Sequence, residues 1–273
     1  MTRRGFLAAA TQAVDPRPDI RSIEPDLTVP DLTEGEPQAG VRVRVGAGIY
    51  HILYLPTGWR PGSTYPVIVE YAGNGPYRNA FGDVSTGYPE GSNLGYGISG
   101  GRGFIWLCLP FVDAANQRIA TQWWGDTEAT IDYCLKTLPA VCRDFGGDQR
   151  RVLLCGFSRG SIACNYIGLR DERIAKLWRA FFCYSHYDGV RRWPYSDSDA
   201  ASALERLKRL QGRPQFICHE NSVDETQRYI ESTGVRGNFT FETLPFRNHN
   251  DTWVLRPIPL RDKLRAWVRK ALD

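Results

Sequence analysis

Apolar positions along the chain switch between two periods, and the switching predicts the order of elements. Val41, Val43 and Val45 alternate with Arg42 and Arg44, the period of a half-buried strand, and Ile49 to Leu55 follows after Gly46-Ala47-Gly48. The two runs read as an antiparallel hairpin closed by Pro56-Thr57-Gly58. Short apolar runs then recur at 66–71, 104–109, 151–155, 180–184 and 215–218, each too short for a helix and suited to strands buried on both faces. Helical spacing fills the intervals: Ile131, Leu135 and Leu138 after a cap at Asp126; Ile162, Tyr166 and Leu169; Leu204, Leu207 and Leu210. A final strand at 239–244 precedes an amphipathic helix that opens at Pro259 and carries Leu260, Leu264, Trp267, Val268 and Leu272. Alternating strands and helices predict an α/β fold, a mostly parallel central sheet covered by helices on both faces.

The first 40 residues lie outside this pattern. Residues 15–38 are rich in Pro, Asp and Glu without periodicity and read as an extended surface arm, which divides the chain into 1–40, leader and arm, and 41–273, the folded domain. Thr2-Arg3-Arg4-Gly5-Phe6-Leu7 resembles a twin-arginine export signal, although the apolar stretch from Phe6 to Ala10 is shorter than the ~7–15 residues of an ordinary signal. Export to the periplasm or beyond is expected if that leader works, and a cytoplasmic protein otherwise. No apolar run approaches the ~18 residues of a membrane span.

Composition narrows the picture further. The net charge of +4 is small for 273 residues, and the basic cluster from Arg256 to Lys270 falls on the closing helix, so a solvated face explains it and nucleic acid is not an expected partner. Of seven cysteines, Cys108, Cys155, Cys183 and Cys218 lie in the predicted strands as core residues, while Cys134 and Cys142 would be about 12 Å apart along one helix, too far for a disulfide. No CxxC or HxxxH spacing supports a metal site. Gly95-Tyr96-Gly97-Ile98-Ser99-Gly100 has the glycine spacing of a dinucleotide loop, but it precedes a strand, where such a loop must follow one.

The sharpest chemical signal is Gly156-Phe157-Ser158-Arg159-Gly160, which follows the strand Val152 to Cys155 and opens a helical pattern. In that setting the serine sits on a strained turn with its hydroxyl raised above the sheet, and flanking glycines avoid a clash. A serine needs a base and an acid that orients the base. His249, after the last strand, is the candidate base. Asp224, a few residues beyond the strand 215–218, is the first candidate acid; Glu220, nearer that strand, and Asp188, one strand earlier, are alternatives. The Arg159 backbone N–H would be one oxyanion donor, and Ala72-Gly73-Asn74-Gly75 would supply the second from Gly73 or Asn74. His186, Trp123 with Trp124, the glycine-rich segment 73–103 and a small lid at 191–200 are candidates to line the cleft, whereas His51 and His219 read as packed within strands.

Together the Ser158 turn, the acid loop and His249, on a strand and helix order covering 41–273, resemble the α/β-hydrolase superfamily. Within it, the chain is similar to secreted esterases of the polyhydroxybutyrate-depolymerase and feruloyl-esterase kind. The resemblance implies a serine carboxylic-ester hydrolase working through an acyl-enzyme, with no cofactor and no metal, on a small-molecule or carbohydrate-linked ester. Peptidases, thioesterases and acyltransferases use the same three groups, and a non-catalytic binding protein on this fold is the alternative of a different class. The chain departs from the usual pattern where Ala72-Gly73 replaces a His-Gly pair at the oxyanion loop.

Overall fold

A computed structural model describes residues 15–273, so the leader with its paired arginines lies outside the described residues. Thirteen strands and seven α-helices are found among them. A nine-stranded sheet contains β1 (Leu32–Thr33), β2 (Arg42–Val45), β3 (His51–Tyr54), β4 (Tyr65–Tyr71), β7 (Ile105–Leu109), β10 (Gly147–Phe157), β11 (Ala180–Tyr184), β12 (Pro214–Glu220) and β13 (Asn238–Leu244). Two small hairpins lie beside it: β5 (Tyr77–Arg78) with β6 (Val84–Ser85), and β8 (Val112–Asp113) with β9 (Arg118–Ile119). The sheet order is β1-β2-β3-β7-β4-β10-β11-β12-β13, antiparallel only at β2/β3 and β3/β7. The mostly parallel sheet agrees with the reading of its apolar runs.

The helices are α1 (Leu94–Ser99), α2 (Thr127–Phe145), α3 (Arg159–Tyr166), α4 (Glu172–Ala175), α5 (Ala200–Leu207), α6 (Asp224–Thr233) and α7 (Pro259–Leu272). The period-two rule sends alternate residues of each central strand to opposite layers. Val67, Val69, Leu107, Val152, Leu154 and Phe181 pack with α2 to α6, whereas Ile68, Trp106, Leu153, Cys155 and Phe182 pack with α1 and α7. Asp126 caps α2 as expected, its carboxylate accepting the Ala129 N–H at 2.9 Å. All seven cysteines are free and buried. Among the described residues, no helix is long and apolar enough to cross a membrane, and no cluster of three or more His, Cys, Asp or Glu residues is placed to hold a metal.

The arm is bound to the domain at several points. Ile20 is buried, a contribution of about 1.5–3 kcal/mol for a side chain of its size. Its N–H donates to Asn248 Oδ1 at 2.8 Å, the Arg247 N–H donates to the Pro18 carbonyl at 3.1 Å, and Arg247 pairs with Asp19. Farther along, Asp26 pairs with Arg261 at the start of α7, and Arg256 Nε donates to the Ile23 carbonyl. Each of these contacts falls on the segment around and after His249.

Candidate active site

Backbone crowding explains the sequence around Ser158. A Cβ on Gly156 would meet the Gly160 backbone at 2.2 Å, and one on Gly160 would meet the Tyr71 carbonyl oxygen at 1.9 Å. Neither position accepts a side chain, because β4, β10 and the first turn of α3 converge there. Ser158 itself has φ 55° and ψ −111°, a positive-φ conformation outside the left-handed helical well that a serine adopts only when its surroundings enforce it. Its N–H donates to the Tyr184 carbonyl at 2.9 Å, which fixes the turn against β11.

Ser158 Oγ lies 3.2 Å from His249 Nε2. His249 Nδ1 is hydrogen-bonded to Glu220 Oε1, so the ring is held between the serine and a carboxylate. Ser185 at the end of β11, with φ 89°, donates its hydroxyl to the same Glu220 oxygen at 2.9 Å and lies 3.1 Å from Nδ1. Burial pushes the Glu220 carboxyl up, but the hydrogen bond and charge of His249 outweigh it and bring it down to about 2. With Nδ1–H donating to this carboxylate, the Nε2 lone pair is free to accept the serine proton.

The other two candidate acids lie elsewhere. Asp224 is an exposed residue at the first position of α6, its N–H donating to Ser222 Oγ at 3.1 Å, and it does not contact the imidazole. Asp188 is buried in a two-bond pair with Arg206, Nε–Oδ2 2.7 Å and Nη2–Oδ1 3.0 Å. Glu220 therefore replaces Asp224 as the carboxylate on the imidazole. The reason is the length of β12, which continues pairing with β13 through His219 and Glu220 and so carries Glu220 to the sheet end.

The histidine loop is also fixed from below. Asp83, buried beyond β5, accepts the His249 N–H at 2.8 Å and the side-chain amide of Asn248 at 3.0 Å, and it also binds the Asn250 and Asn79 amides. Asp251, held by the Asn93 N–H and side chain, is pushed up to about 6 by burial. Sequence reading missed Asp83 and Ser185. Asp83 belongs to an irregular loop, and Ser185 ends a strand, so no periodic signal marks either one.

Arg159, the first residue of α3, turns its side chain inward and is 1% exposed. Its guanidinium donates to five backbone carbonyls: Nη1 to Trp123 at 2.7 Å and Ala120 at 3.0 Å, Nη2 to Gly73 at 2.9 Å and Gly87 at 3.0 Å, and Nε to Ala72 at 3.4 Å. It also stacks 4.0 Å above the Phe111 ring. Asn74 completes the tie, its Oδ1 accepting the Trp123 N–H at 2.8 Å. Of the two residues expected to supply the second oxyanion donor, Asn74 lines the cleft beside Ser158, while the Gly73 carbonyl is turned to Arg159.

Two adjoining cavities open here. One, of about 170 Å³, is bounded by Ser158, Asn74, Tyr77, Phe157, Ile162 and Trp123. The other, of about 210 Å³, is polar and bounded by Ser185, His219, Glu220, Arg191 and Glu225. His186 and Trp193 line both, with ring centroids 5.2 Å apart, so the segment 191–200 contributes the partition between them. The paired tryptophans separate: Trp123 faces the cleft and Trp124 stacks on Tyr166 in the core at 4.5 Å. His51 is hydrogen-bonded to Tyr133 and His219 to Thr226.

No family profile matches the chain, and no curated protein matches its sequence. Solved structures do match its shape. It is similar to a thermostable esterase at TM-score 0.51 and 12% identity, with 84% of this chain and 62% of the other covered. It is similar to a putative dipeptidyl aminopeptidase IV from Bacteroides ovatus at TM-score 0.57 and 16% identity, with 83% and 35% covered. With an S-formylglutathione hydrolase from Agrobacterium tumefaciens the TM-score is 0.52 and the identity 13%, with 82% and 90% covered. The chain thus spans less than two thirds of the first two structures.

Proposed function

Because the chain has the α/β-hydrolase fold, with a serine, an imidazole and a carboxylate in one line, we propose that it is a serine hydrolase that cleaves small carboxylic esters. The observation that carries this reading is the 3.2 Å approach of Ser158 Oγ to His249 Nε2, with Glu220 on the opposite nitrogen. Ser158 attacks the acyl carbon as His249 takes its proton, and Glu220 holds the ring in the required tautomer and balances its positive charge. The tetrahedral oxyanion is met by the N–H groups of Arg159 and Asn74. His249 then passes its proton to the leaving oxygen, the alcohol departs, and water attacks the acyl-enzyme by the same route reversed. No step calls for a cofactor.

Each cavity falls below the ~300 Å³ at which drug-sized ligand sites begin. A short or compact acyl group beside Ser158 and a polar alcohol, such as a sugar, beyond Trp193 suit them. A fluorophosphonate probe that labels the wild-type protein but not Ser158→Ala, together with loss of p-nitrophenyl acetate hydrolysis in that variant, is the expected result. Full activity in Ser158→Ala would end the reading. For location, we propose export through the twin-arginine-like leader, checked by the mass of the mature N-terminus.

A further inference from the structure

We propose that the Arg159 guanidinium is the positioning group of the oxyanion hole, holding the Gly73–Asn74 peptide so that its N–H is presented to the cleft above Ser158. The proposal rests on the serine-hydrolase reading and adds a second task for the residue after the nucleophile. Its backbone supplies one donor, and its side chain fixes the other.

Gly73 C=O and Asn74 N–H belong to one peptide group, and Gly75–Pro76 is the cis bond found among the described residues, so the Gly73–Asn74 bond is trans and its two polar ends point in opposite directions. Arg159 Nη2 holds the carbonyl end at 2.9 Å from inside the protein. Asn74 lines the cavity that contains Ser158, and with the carbonyl end held from inside, the proposal directs the N–H end of this peptide toward that cavity. A cation bound to the carbonyl also draws electrons through the amide and makes its N–H a stronger donor.

The remaining contacts prevent this peptide from swinging away. The same guanidinium holds the Ala72 carbonyl before it and the Trp123 carbonyl across the cleft, while the Asn74 side chain binds the Trp123 N–H. No carboxylate touches Arg159 among the described residues; its partners are five carbonyls and one aromatic ring. A cation whose charge is not cancelled nearby lies behind the position where negative charge develops. A purely structural crosslink would hold the loops equally well with a neutral or locally neutralised group.

The test compares Arg159→Met and Arg159→Lys with the wild-type protein, each checked for folding by thermal melting. Two quantities are read: p-nitrophenyl acetate kinetics and affinity for an alkylboronic acid, which forms a tetrahedral adduct on the serine. In the Met variant, kcat should fall about a hundredfold with KM nearly unchanged, and boronate affinity should fall in step, because the lost interaction acts on the tetrahedral state. Lys should restore part of both. A folded Met variant with kcat and boronate affinity close to wild type would overturn the proposal. If the Met variant does not fold, the wild-type protein decides. The amide resonance of Asn74 should move when the boronate binds, and an unmoved resonance counts against the proposal. Fluorophosphonate labelling of the wild type separates the two levels of argument. Absence of labelling removes the hydrolase reading and this proposal with it, whereas labelling with an unimpaired Arg159→Met removes this proposal alone.

Discussion

Three arginines are buried among the described residues; Arg261 pairs with Asp26 of the arm, and the other two, Arg206 and Arg159, are accommodated in opposite ways. Arg206 on α5 meets Asp188 in a two-bond ion pair, adds the Asp197 carbonyl at 2.8 Å, and lies 4.8 Å from the Tyr166 ring centre. Its charge is cancelled where it sits, and what it holds is the segment that starts at Asp188 and carries Trp193. Arg159 meets only carbonyls and the Phe111 ring, and burial pulls its pKa well below the usual arginine value. Five acceptors all require N–H donors, which favours the protonated form. The same side chain therefore serves as a neutral clamp in one region and as a source of uncancelled positive potential in the other, beside Ser158.

The comparison extends to the carboxylates, and it can be broken there first. Glu220→Gln should lower turnover of the folded protein by about 10⁴-fold, because the imidazole loses the carboxylate that selects its tautomer. Asp188→Asn should do the reverse, lowering the melting temperature while the folded fraction keeps near-normal turnover. Steady-state kinetics normalised to folded protein separates the two. Equal losses of turnover would remove the distinction between the two regions.

A second, smaller effect sharpens the same contrast. Arg206→Met leaves Asp188 buried without a partner, at a cost of about 3–5 kcal/mol in unfolding free energy, and adding Asp188→Leu should recover most of that loss. Urea titration of the single and double variants measures it. If the double variant remained as unstable as the single one, the clamp would be working through something other than its ion pair.

pH gives a third test, confined to the side of the Ser158 turn. The folded Glu220 carboxyl titrates near 2, below its ordinary value of 4.5, so its contribution to stability is complete above about 4.5 and is lost as pH falls through 2. Melting temperatures measured between pH 5 and 2 should therefore fall less steeply in Glu220→Gln than in the wild type. Parallel curves would contradict the assignment. The smallest effect belongs to Asp224→Asn: an exposed residue away from the imidazole should change stability by no more than about 0.5 kcal/mol and leave turnover unaltered.

What could be read from the sequence follows from how strongly each feature constrains residue type. The turn at Ser158 was legible because backbone packing forbids a side chain at Gly156 and Gly160, and the part of the strand just before it, Val152 to Cys155, is unbroken apolar residues. Glu220, the carboxylate found on the imidazole, was only one of three candidates because apolar runs report only the buried part of a strand. After Cys218 the ladder continues through His219 to Glu220, a charged residue beyond the end of the apolar run. The Arg159 side chain left no sign either, since an arginine in the first turn of a helix is read as a surface residue unless its carbonyl partners are visible. Those partners come from four separate segments, at 72–73, 87, 120 and 123, and only the folded chain brings them together.

The strap formed by residues 18–27 carries a consequence for the order of assembly. Its partners Arg247, Asn248, Leu255, Arg256 and Arg261 lie more than two hundred residues downstream. While the chain is being made, Ile20 has nothing to cover it until the far end of the domain is synthesised, and the imidazole loop has no final anchorage until the earliest described residues return to it. Closing so long a loop is a late and slow event. The alignment of Ser158, His249 and Glu220 is thus tied to a seam at which the two ends of the domain meet.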